Sequence, residues 1–275
     1  MNRIGVCSWS LRPGSPNGLA EMLRRVGVSW VQLALGPLAG DPATWSLDAT
    51  RRALGEAGIQ IASGMIGMRG EDYSTLDTIR RTGGVRPDEH WAANLAGARR
   101  GAELAHALEL DLVTFHAGFL PEDRDDPERA TLLERLRAVI DVFADAGVAV
   151  GFETGQEHAD TLLGVLDELD RPTAGVNFDP ANMLLYDMGD PVEALTRLAP
   201  RVRQIHIKDA RRTSTPGTWG TEVPAGEGEV DWQRFFDVVH EQGITGDLMI
   251  EREAGEDRTD DIRTARELVE RHLQA

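Results

Sequence analysis

The sequence predicts an α/β protein, a single-domain (β/α)8 TIM barrel that spans residues 1–275. Three observations support this prediction. Short apolar runs alternate regularly with amphipathic segments, there are about eight such strand–helix pairs, and no linker divides the chain into two parts. A chain of 275 residues also has about the length that one barrel of this kind requires.

Each strand prediction rests on a short run rich in Val, Ile, Leu or Phe. In chain order these runs lie at residues 4–8, 30–35, 60–63, 112–116, 148–153, 173–179, 202–208 and 247–251. Each helix prediction rests on apolar residues spaced three and four positions apart, and a glycine ends the first helix at Gly27. In chain order the helices lie at residues 18–27, 47–57, 90–108, 127–146, 159–169, 191–198, 231–242 and 260–273.

The connection at residues 64–88 is long and polar and contains Gly83, Gly84 and Pro87. A loop of this length is typically functional or carries a small helix. The competing fold is a doubly wound open sheet, which uses the same strand–helix pairs. Its nucleotide-binding glycine motifs are missing, and the segment Gly226-Glu227-Gly228 is too short and too acidic to cradle a phosphate alone. The barrel is therefore preferred.

The overall charge and the single cysteine restrict the class of protein. A formal charge of −17 and a pI near 4.8 argue against binding to nucleic acid, which requires a basic surface. Cys7 is alone and cannot form an internal disulfide, and the N-terminus shows no secretory signal pattern, so a cytoplasmic location is predicted. No apolar run approaches the roughly 18 residues of a membrane span, which predicts no membrane partner.

The seventh predicted strand has an unusual polar face. Because side chains alternate along a strand, Gln204, His206 and Lys208 share one face, while Ile205 and Ile207 share the other. A strand inside a parallel sheet is buried on both sides, so its polar face must open into a cavity, a ligand or a metal site.

The last four predicted strands each end in, or close to, a residue that can bind a metal or carry a proton. These residues are Glu153, Asp179, His206 and Glu251. The carboxyl ends of barrel strands meet at one face, where three carboxylates and an imidazole would repel one another without a neutralising cation. Oxygen-rich coordination with one imidazole predicts a divalent ion, Mn²⁺ first, with Mg²⁺, Co²⁺ or Zn²⁺ as alternatives. Taken singly, each carboxylate could instead cap a helix or join a salt bridge.

Five short motifs carry a family resemblance: Phe152-Glu153-Thr154, Asn177-Phe178-Asp179-Pro180-Ala181-Asn182, His206-Ile207-Lys208-Asp209, Gly226-Glu227-Gly228-Glu229-Val230-Asp231-Trp232 and Ile250-Glu251-Arg252. Together they resemble the xylose-isomerase-like barrel superfamily, and within it the sugar phosphate isomerase/epimerase group, which includes ketose 3-epimerases and inosose-processing enzymes. The resemblance implies that the four residues above hold the metal, that Glu153 and Glu251 also act as acid and base, and that a homo-oligomer is possible. Asn182 stands where the DNA-repair endonuclease branch carries a histidine, which argues against DNA cleavage.

The chemistry of such a site favours a metal-dependent isomerase or epimerase acting on a ketose or keto-sugar derivative. A metal chelated by a carbonyl and the neighbouring hydroxyl lowers the pKa of the adjacent C–H bond and stabilises the enediolate. Two glutamates on opposite sides of the substrate would epimerise it, whereas one base moving the proton between carbons would isomerise it. The alternative is a lyase on the same scaffold, in which the enediolate expels a β-substituent, as in inosose dehydration or 3-keto-glycoside cleavage.

Five further side chains are candidates for binding the carbohydrate substrate: His116, Lys208, Glu157, His158 and Trp9. For Lys208 the alternative is a salt bridge to a neighbouring carboxylate, and for His116 it is a core histidine with satisfied hydrogen bonds. Trp219 is a second tryptophan that could stack on a sugar ring, and Arg211 or Arg212 could clamp an anionic substituent. Asp209 lies on the opposite face from Lys208 and is predicted to anchor a loop rather than to bind the metal.

Overall fold

The structure is a computed structural model that describes residues 2–274, and it contains a closed barrel of eight parallel strands. The barrel strands are β1 (Ile4–Cys7), β2 (Trp30–Ala34), β3 (Gln60–Met65), β4 (Leu112–Phe115), β5 (Ala149–Glu153), β6 (Ala174–Phe178), β7 (Val202–Ile207) and β10 (Asp247–Ile250). Two short antiparallel strands, β8 (Asp209–Arg211) and β9 (Thr221–Val223), form a separate hairpin. Each barrel strand pairs with its neighbours along the chain, and β10 closes the barrel between β7 and β1. The predicted (β/α)8 fold is therefore confirmed.

Helices follow the barrel strands and cover their outer surface. They are α1 (Pro16–Val26), α2 (Gly36–Gly40), α3 (Leu47–Glu56), α4 (Leu76–Thr82), α5 (Asp88–Ala107), α6 (Pro127–Asp145), α7 (Ala159–Leu169), α8 (Pro180–Leu185), α9 (Pro191–Leu198), α10 (Trp232–Glu241) and α11 (Arg258–Leu273). Gly27 ends α1 in the left-handed conformation, with φ of 76°, as the sequence predicted. In the described part of the chain, every helix is too short or too polar to cross a lipid bilayer.

Three elements were not placed by the sequence prediction. They are α2, α8 and the β8–β9 hairpin, and each is too short to show an apolar repeat. Local chemistry nevertheless explains α8, because Pro180 fits its first turn and the Asp179 carboxylate accepts a hydrogen bond from the Asn182 N–H at 3.0 Å. The small helix expected within residues 64–88 is present as α4.

The alternation predicted for the seventh strand is observed in β7. Ile205 and Ile207 are fully buried in the apolar layer between the barrel and its helices, which forms the main core. Gln204 and His206 are also fully buried but point into the barrel, where they find polar partners. The polar side chains of this buried strand therefore find their hydrogen-bond partners inside the barrel.

A chain of side-chain hydrogen bonds crosses the barrel interior below the strand ends. Ser63 donates to Gln204 Oε1 at 2.6 Å, and Gln204 Nε2 donates to Asn177 Oδ1 at 3.1 Å. Asn177 Nδ2 then donates to Glu153 Oε2 at 3.3 Å. Buried polar side chains are stable only when they have hydrogen-bond partners, and each member of this chain has one. The chain therefore holds the Glu153 carboxylate in place from inside the barrel.

Candidate active site

Four potential metal ligands meet at the carboxyl ends of four neighbouring strands. Glu153 ends β5, Asp179 follows β6 directly, His206 lies near the end of β7, and Glu251 follows β10 directly. One ligand atom from each residue lies within 4.8 Å of the other three. All four residues are almost completely buried, with at most 3% of their surface exposed.

The imidazole of His206 lies at the centre of this cluster. Its Nδ1 is 3.4 Å from Glu251 Oε2, 3.5 Å from Glu153 Oε1 and 3.7 Å from Asp179 Oδ2. On the other side of the ring, Nε2 is 2.8 Å from Gln32 Oε1, and the Gln32 amide nitrogen donates to Thr114 Oγ1 at 2.8 Å. The carbonyl oxygen of Gln32 therefore faces the ring, which assigns the proton to Nε2 and directs Nδ1 at the carboxylates.

The donor set fits a divalent cation. A neutral imidazole lone pair cannot face three carboxylate oxygens without a positive charge between them, whether a proton or a metal ion. Burial by itself would lower the pKa of His206, but the neighbouring Cys7, Glu153 and Glu251 raise it well above its usual value. Asp179 Oδ2 is buried and has no hydrogen-bond partner in residues 2–274, as expected for an oxygen that binds a metal. Burial raises the pKa of this aspartate to about 6, against the opposing charge of Lys208.

The two glutamates are held from different sides. Glu251 accepts hydrogen bonds from Trp9 Nε1 at 2.6 Å and from Lys208 Nζ at 2.9 Å. Glu153 accepts a hydrogen bond from Asn182 Nδ2 at 2.9 Å, and His116 Nε2 is 3.7 Å away. Burial would raise the pKa of both carboxyls, but for Glu251 the charges of Lys208 and His206 outweigh burial and hold the pKa well below its usual range. For Glu153 the charges of His116 and His206 lower the pKa in the same way.

A cavity of about 770 Å³ opens above the cluster. Its walls include Trp9, His116 and Lys208, three of the side chains predicted to bind substrate, and each of them contacts one of the two glutamates. Trp219, the second predicted tryptophan, also lines the cavity, packed edge-on against Tyr186 with ring centroids 4.7 Å apart. Cavities of this size bind small organic molecules, and aromatic walls suit the apolar faces of sugar rings.

Glu157 and His158 lie elsewhere. Glu157 is buried beside a different cavity, of about 420 Å³, which is also bordered by Gln156 and Arg86. His158 is half-exposed, and its Nδ1 lies 3.2 Å from the carbonyl oxygen of Met188. Neither residue lines the cavity above the metal cluster. Their assignment to substrate binding therefore stays a prediction without geometric support.

Lys208 forms the salt bridge that the sequence offered as the alternative to substrate binding. Its ammonium lies 2.9 Å from both Glu251 Oε2 and Glu253 Oε2, so the salt bridge is present, and the same side chain lines the cavity. Burial opposes its charge, but Glu251, Glu253 and Asp179 raise the pKa of Lys208 well above its usual value. The lysine is therefore a fixed positive charge next to one of the two candidate bases.

Several residues of the site were missed by the sequence prediction. Asn182 and Gln32, which hold Glu153 and His206, are neutral amides and carry no charge pattern that would mark them. Glu71 and Glu253, which line the cavity, lie in loops whose path cannot be read from periodicity. The position of Gln32 on β2 offered one signal, since a polar residue inside an apolar strand needs a buried partner.

Asp209 anchors the loop that follows β9, as predicted. Its carboxylate accepts hydrogen bonds from the backbone N–H groups of Gly226, Gly228 and Val230 at 2.9–3.2 Å, and from Trp232 Nε1 at 2.9 Å. A Cβ atom on Gly228 would collide with Asp209 Oδ1, which explains why glycine occupies this position. The segment 226–228 therefore wraps a carboxylate and does not form a phosphate cradle.

Replacing Asp209 by Asn is expected to lower the free energy of unfolding by about 2–4 kcal/mol, because an amide group replaces an acceptor of several charge-assisted hydrogen bonds. Denaturant unfolding measures this loss. Asp237→Asn, at an exposed position of α10, is the matched control and should change stability by less than about 0.5 kcal/mol. A loss at Asp209 no larger than that of the control would show that the loop does not depend on this carboxylate.

Comparison with known proteins agrees with this architecture. The model of the xylose isomerase-like TIM barrel family matches residues 20–272. A xylose isomerase domain protein from Planctomyces limnophilus has a crystal structure with a TM-score of 0.86 and 34% identity, and the similarity covers 92% of each chain.

Two further proteins are more distant. The inosose dehydratase of Geobacillus kaustophilus is 26% identical over 230 residues, which cover 74% of this chain and 70% of that enzyme. The D-allulose 3-epimerase from Methylomonas sp., solved in complex with D-allulose, has a TM-score of 0.73 at 18% identity, and the similarity covers 98% of this chain and 97% of that chain. This second likeness shows the fold alone.

Proposed function

Because the chain belongs to the xylose isomerase-like TIM barrel family, we propose that it is a divalent-metal-dependent sugar isomerase or epimerase. Its substrate is a ketose or keto-sugar derivative, and the reaction proceeds through an enediolate of that substrate. The observation that carries the proposal is the convergence of two glutamates on His206 Nδ1 beneath a cavity of about 770 Å³. The structural relative from Methylomonas sp., which shares the fold, was solved in complex with the ketose D-allulose.

The ion would be held by Glu153, Asp179, His206 and Glu251. A divalent ion bound there supplies positive charge beside the substrate's carbonyl and hydroxyl oxygens, which makes the adjacent C–H bond more acidic. The oxygen-rich donor set favours Mn²⁺, with Mg²⁺, Co²⁺ and Zn²⁺ as alternatives.

The protein's own residues carry the proton transfer. Glu153 ends β5 and Glu251 follows β10, and these strands are separated around the barrel by β6 and β7, so the two carboxylates approach His206 from different sides. One glutamate removes the proton from one face of the substrate, and the other returns a proton to the opposite face, which gives the epimer. Hydrogen bonds from Asn182 and Asn177 orient Glu153, and those from Trp9 and Lys208 orient Glu251. Both carboxylates are thus held in position for proton transfer to and from the substrate.

A lyase on the same scaffold is the second candidate, and the position of Lys208 favours it. The buried ammonium lies in the cavity wall, 2.9 Å from Glu251. In this reaction one glutamate removes the proton as before and passes it to the leaving β-hydroxyl or glycosidic oxygen as the C–O bond breaks, while the ammonium of Lys208 stabilises the negative charge that develops on that oxygen. The relationship to inosose dehydratase supports this second candidate.

The decisive experiment assays a panel of ketoses, inososes and 3-keto-glycosides in deuterated water, with the protein loaded with Mn²⁺. An isomerase or epimerase gives a product of unchanged formula that carries solvent deuterium, while a lyase releases water or a free sugar. Mass spectrometry and NMR spectroscopy distinguish these outcomes. Turnover that conserves mass without any exchange at carbon would exclude the enediolate route.

Removal of the metal is expected to abolish turnover, because the site then lacks the positive charge that would make the substrate's C–H bond more acidic. A chelator followed by dialysis should lower the rate at least about 100-fold, and Mn²⁺ or Co²⁺ should restore it best. The steady-state rate measured against added ion checks this. A full rate in metal-free protein would contradict the proposed metal dependence.

A further inference from the structure

We propose that the cavity selects uncharged sugars over phosphorylated or carboxylated ones, and that Glu71 is the residue that sets this selectivity. The inference rests on the function proposed above, since it concerns the substrate class of the same cavity. Glu71 lies on the connection between β3 and α4 and lines the cavity.

The charges on the cavity wall are unfavourable for an anion. Three carboxyl groups line it, those of Glu71, Glu222 and Glu253, against two basic side chains, Lys208 and His116, and no arginine among the described residues. The carboxyl groups of the metal cluster lie next to this wall, since Lys208 and His116 contact them. Proteins that bind phosphate or carboxylate substituents normally supply arginine or lysine donors at the position of the anion, and on this wall the described residues supply only Lys208.

The one lysine is not available for an anionic substituent. Its ammonium is shared between Glu251 and Glu253, each at 2.9 Å, and lies 3.7 Å from Asp179. An incoming phosphate would therefore have to compete with three carboxylates for the ammonium of Lys208. Like-charge contacts of this kind oppose binding and discriminate between ligands.

The arginines that follow β7 in sequence are also turned away. The guanidinium of Arg211 donates to the carbonyl oxygen of Glu227 at 2.8 Å, and Arg212 pairs with Asp187 at 2.9 Å and with the backbone of Gly189. Neither side chain lines the cavity. The anion clamp that the sequence suggested at these positions is therefore not formed at the cavity wall.

Among the three carboxyl groups of the wall, Glu71 stands apart. Glu222 is paired with Arg252 at 2.6 Å and Glu253 with Lys208, whereas no basic side chain in residues 2–274 pairs with Glu71. Its carboxylate instead accepts hydrogen bonds from the backbone N–H groups of Gly84 at 3.0 Å and Met68 at 3.4 Å, which hold it without cancelling its charge.

The loop that holds Glu71 packs closely against a neighbouring loop. Gly84, which holds Glu71, has a positive φ of 63°, and a Cβ there would collide with the backbone of Ala117. The two loops are thus in close contact, and Glu71 is fixed at the wall.

The test uses calorimetry to measure the dissociation constants of neutral sugars and of their phosphorylated counterparts for the Mn²⁺-loaded protein. The pairs are D-fructose with D-fructose 6-phosphate and D-ribulose with D-ribulose 5-phosphate. The neutral member should bind at least about tenfold more tightly than the phosphorylated member. Glu71→Gln should reduce this ratio at least threefold, while Asp72→Asn, at the exposed neighbouring position, should leave it unchanged. For wild-type protein the ratio should also fall between 0.05 M and 0.5 M NaCl, since salt screens the repulsion.

The proposal is overturned if the phosphorylated sugars bind as well as the neutral ones, if no neutral sugar binds, or if Glu71→Gln and Asp72→Asn change the ratio equally. Should Glu71→Gln fail to fold, the salt dependence of wild-type protein decides, because a constant ratio excludes charge as the cause. Failure of the charge selectivity and failure of the proposed enzymatic function give different results. Selective binding of neutral sugars without metal-dependent exchange of a carbon-bound proton would contradict the isomerase or lyase assignment and leave the charge selectivity standing.

Discussion

Glu153→Gln and Glu251→Gln are each expected to lower kcat by at least about 10³-fold while leaving the barrel folded. Each substitution removes a proton acceptor, and general acid–base catalysis alone typically contributes about 10²–10⁴-fold. The amide keeps the shape of the side chain and an oxygen that can accept the hydrogen bond from Trp9, Lys208 or Asn182. Steady-state kinetics with saturating Mn²⁺, together with circular dichroism, measures the loss of activity and the retention of fold.

Asp179→Asn separates metal binding from proton transfer. Asp179 belongs to the same cluster, but it is assigned no acid–base role. Its replacement should weaken metal binding and be largely rescued by excess Mn²⁺, whereas neither glutamate variant should be rescued. Glu241→Gln, at an exposed position of α10, should keep the wild-type rate. Rates close to wild type in both glutamate variants would exclude them as acid and base.

The fold was predictable because its signal is distributed along the whole chain. Every barrel strand combines an apolar run with a defined place in the strand–helix alternation, and an error of one or two residues at an end does not change the topology. Strand β10, for example, ends at Ile250 rather than at 251, yet Glu251 still lies at the mouth of the barrel. The β8–β9 hairpin was not predicted because three-residue strands show no alternation and are fixed by tertiary contacts such as the Arg252–Glu222 pair.

The candidate site was predictable only where strand geometry determines position. Glu153, Asp179, His206 and Glu251 come together because parallel strands bring their carboxyl ends to one face. Glu157 and His158 follow β5 in a loop, and no rule of periodicity determines where a loop side chain points. The structure places them away from the cavity for that reason. Asn182 also follows a strand end but does reach the site. Its backbone N–H donates to the Asp179 carboxylate, and the resulting turn brings the Asn182 side-chain amide to Glu153.

Glu157→Gln is expected to stabilise the protein at neutral and alkaline pH, although it removes no repulsive contact. Only 6% of Glu157 is exposed. Burial alone, with no opposing charge or hydrogen bond, raises its pKa to about 8 from the usual 4.5. In the unfolded chain this carboxyl loses its proton near pH 4.5, whereas in the folded protein it keeps the proton up to about pH 8. The unfolded state therefore binds fewer protons in this window, and Glu157 makes stability fall as the pH rises.

The size of this effect follows from the same difference in pKa. Glu157 lowers the free energy of unfolding by at most about 5 kcal/mol at pH 8 and by almost nothing at pH 4. A glutamine does not titrate, so the difference in the free energy of unfolding between Glu157→Gln and wild type should be small at pH 4 and should increase steadily to pH 8. Denaturant unfolding of both proteins at each pH measures this difference and cancels the contribution of every other carboxyl group. A difference that is independent of pH would show that Glu157 is ionised in the folded protein, and that the cavity beside Arg86 supplies a charge or water that stabilises the carboxylate.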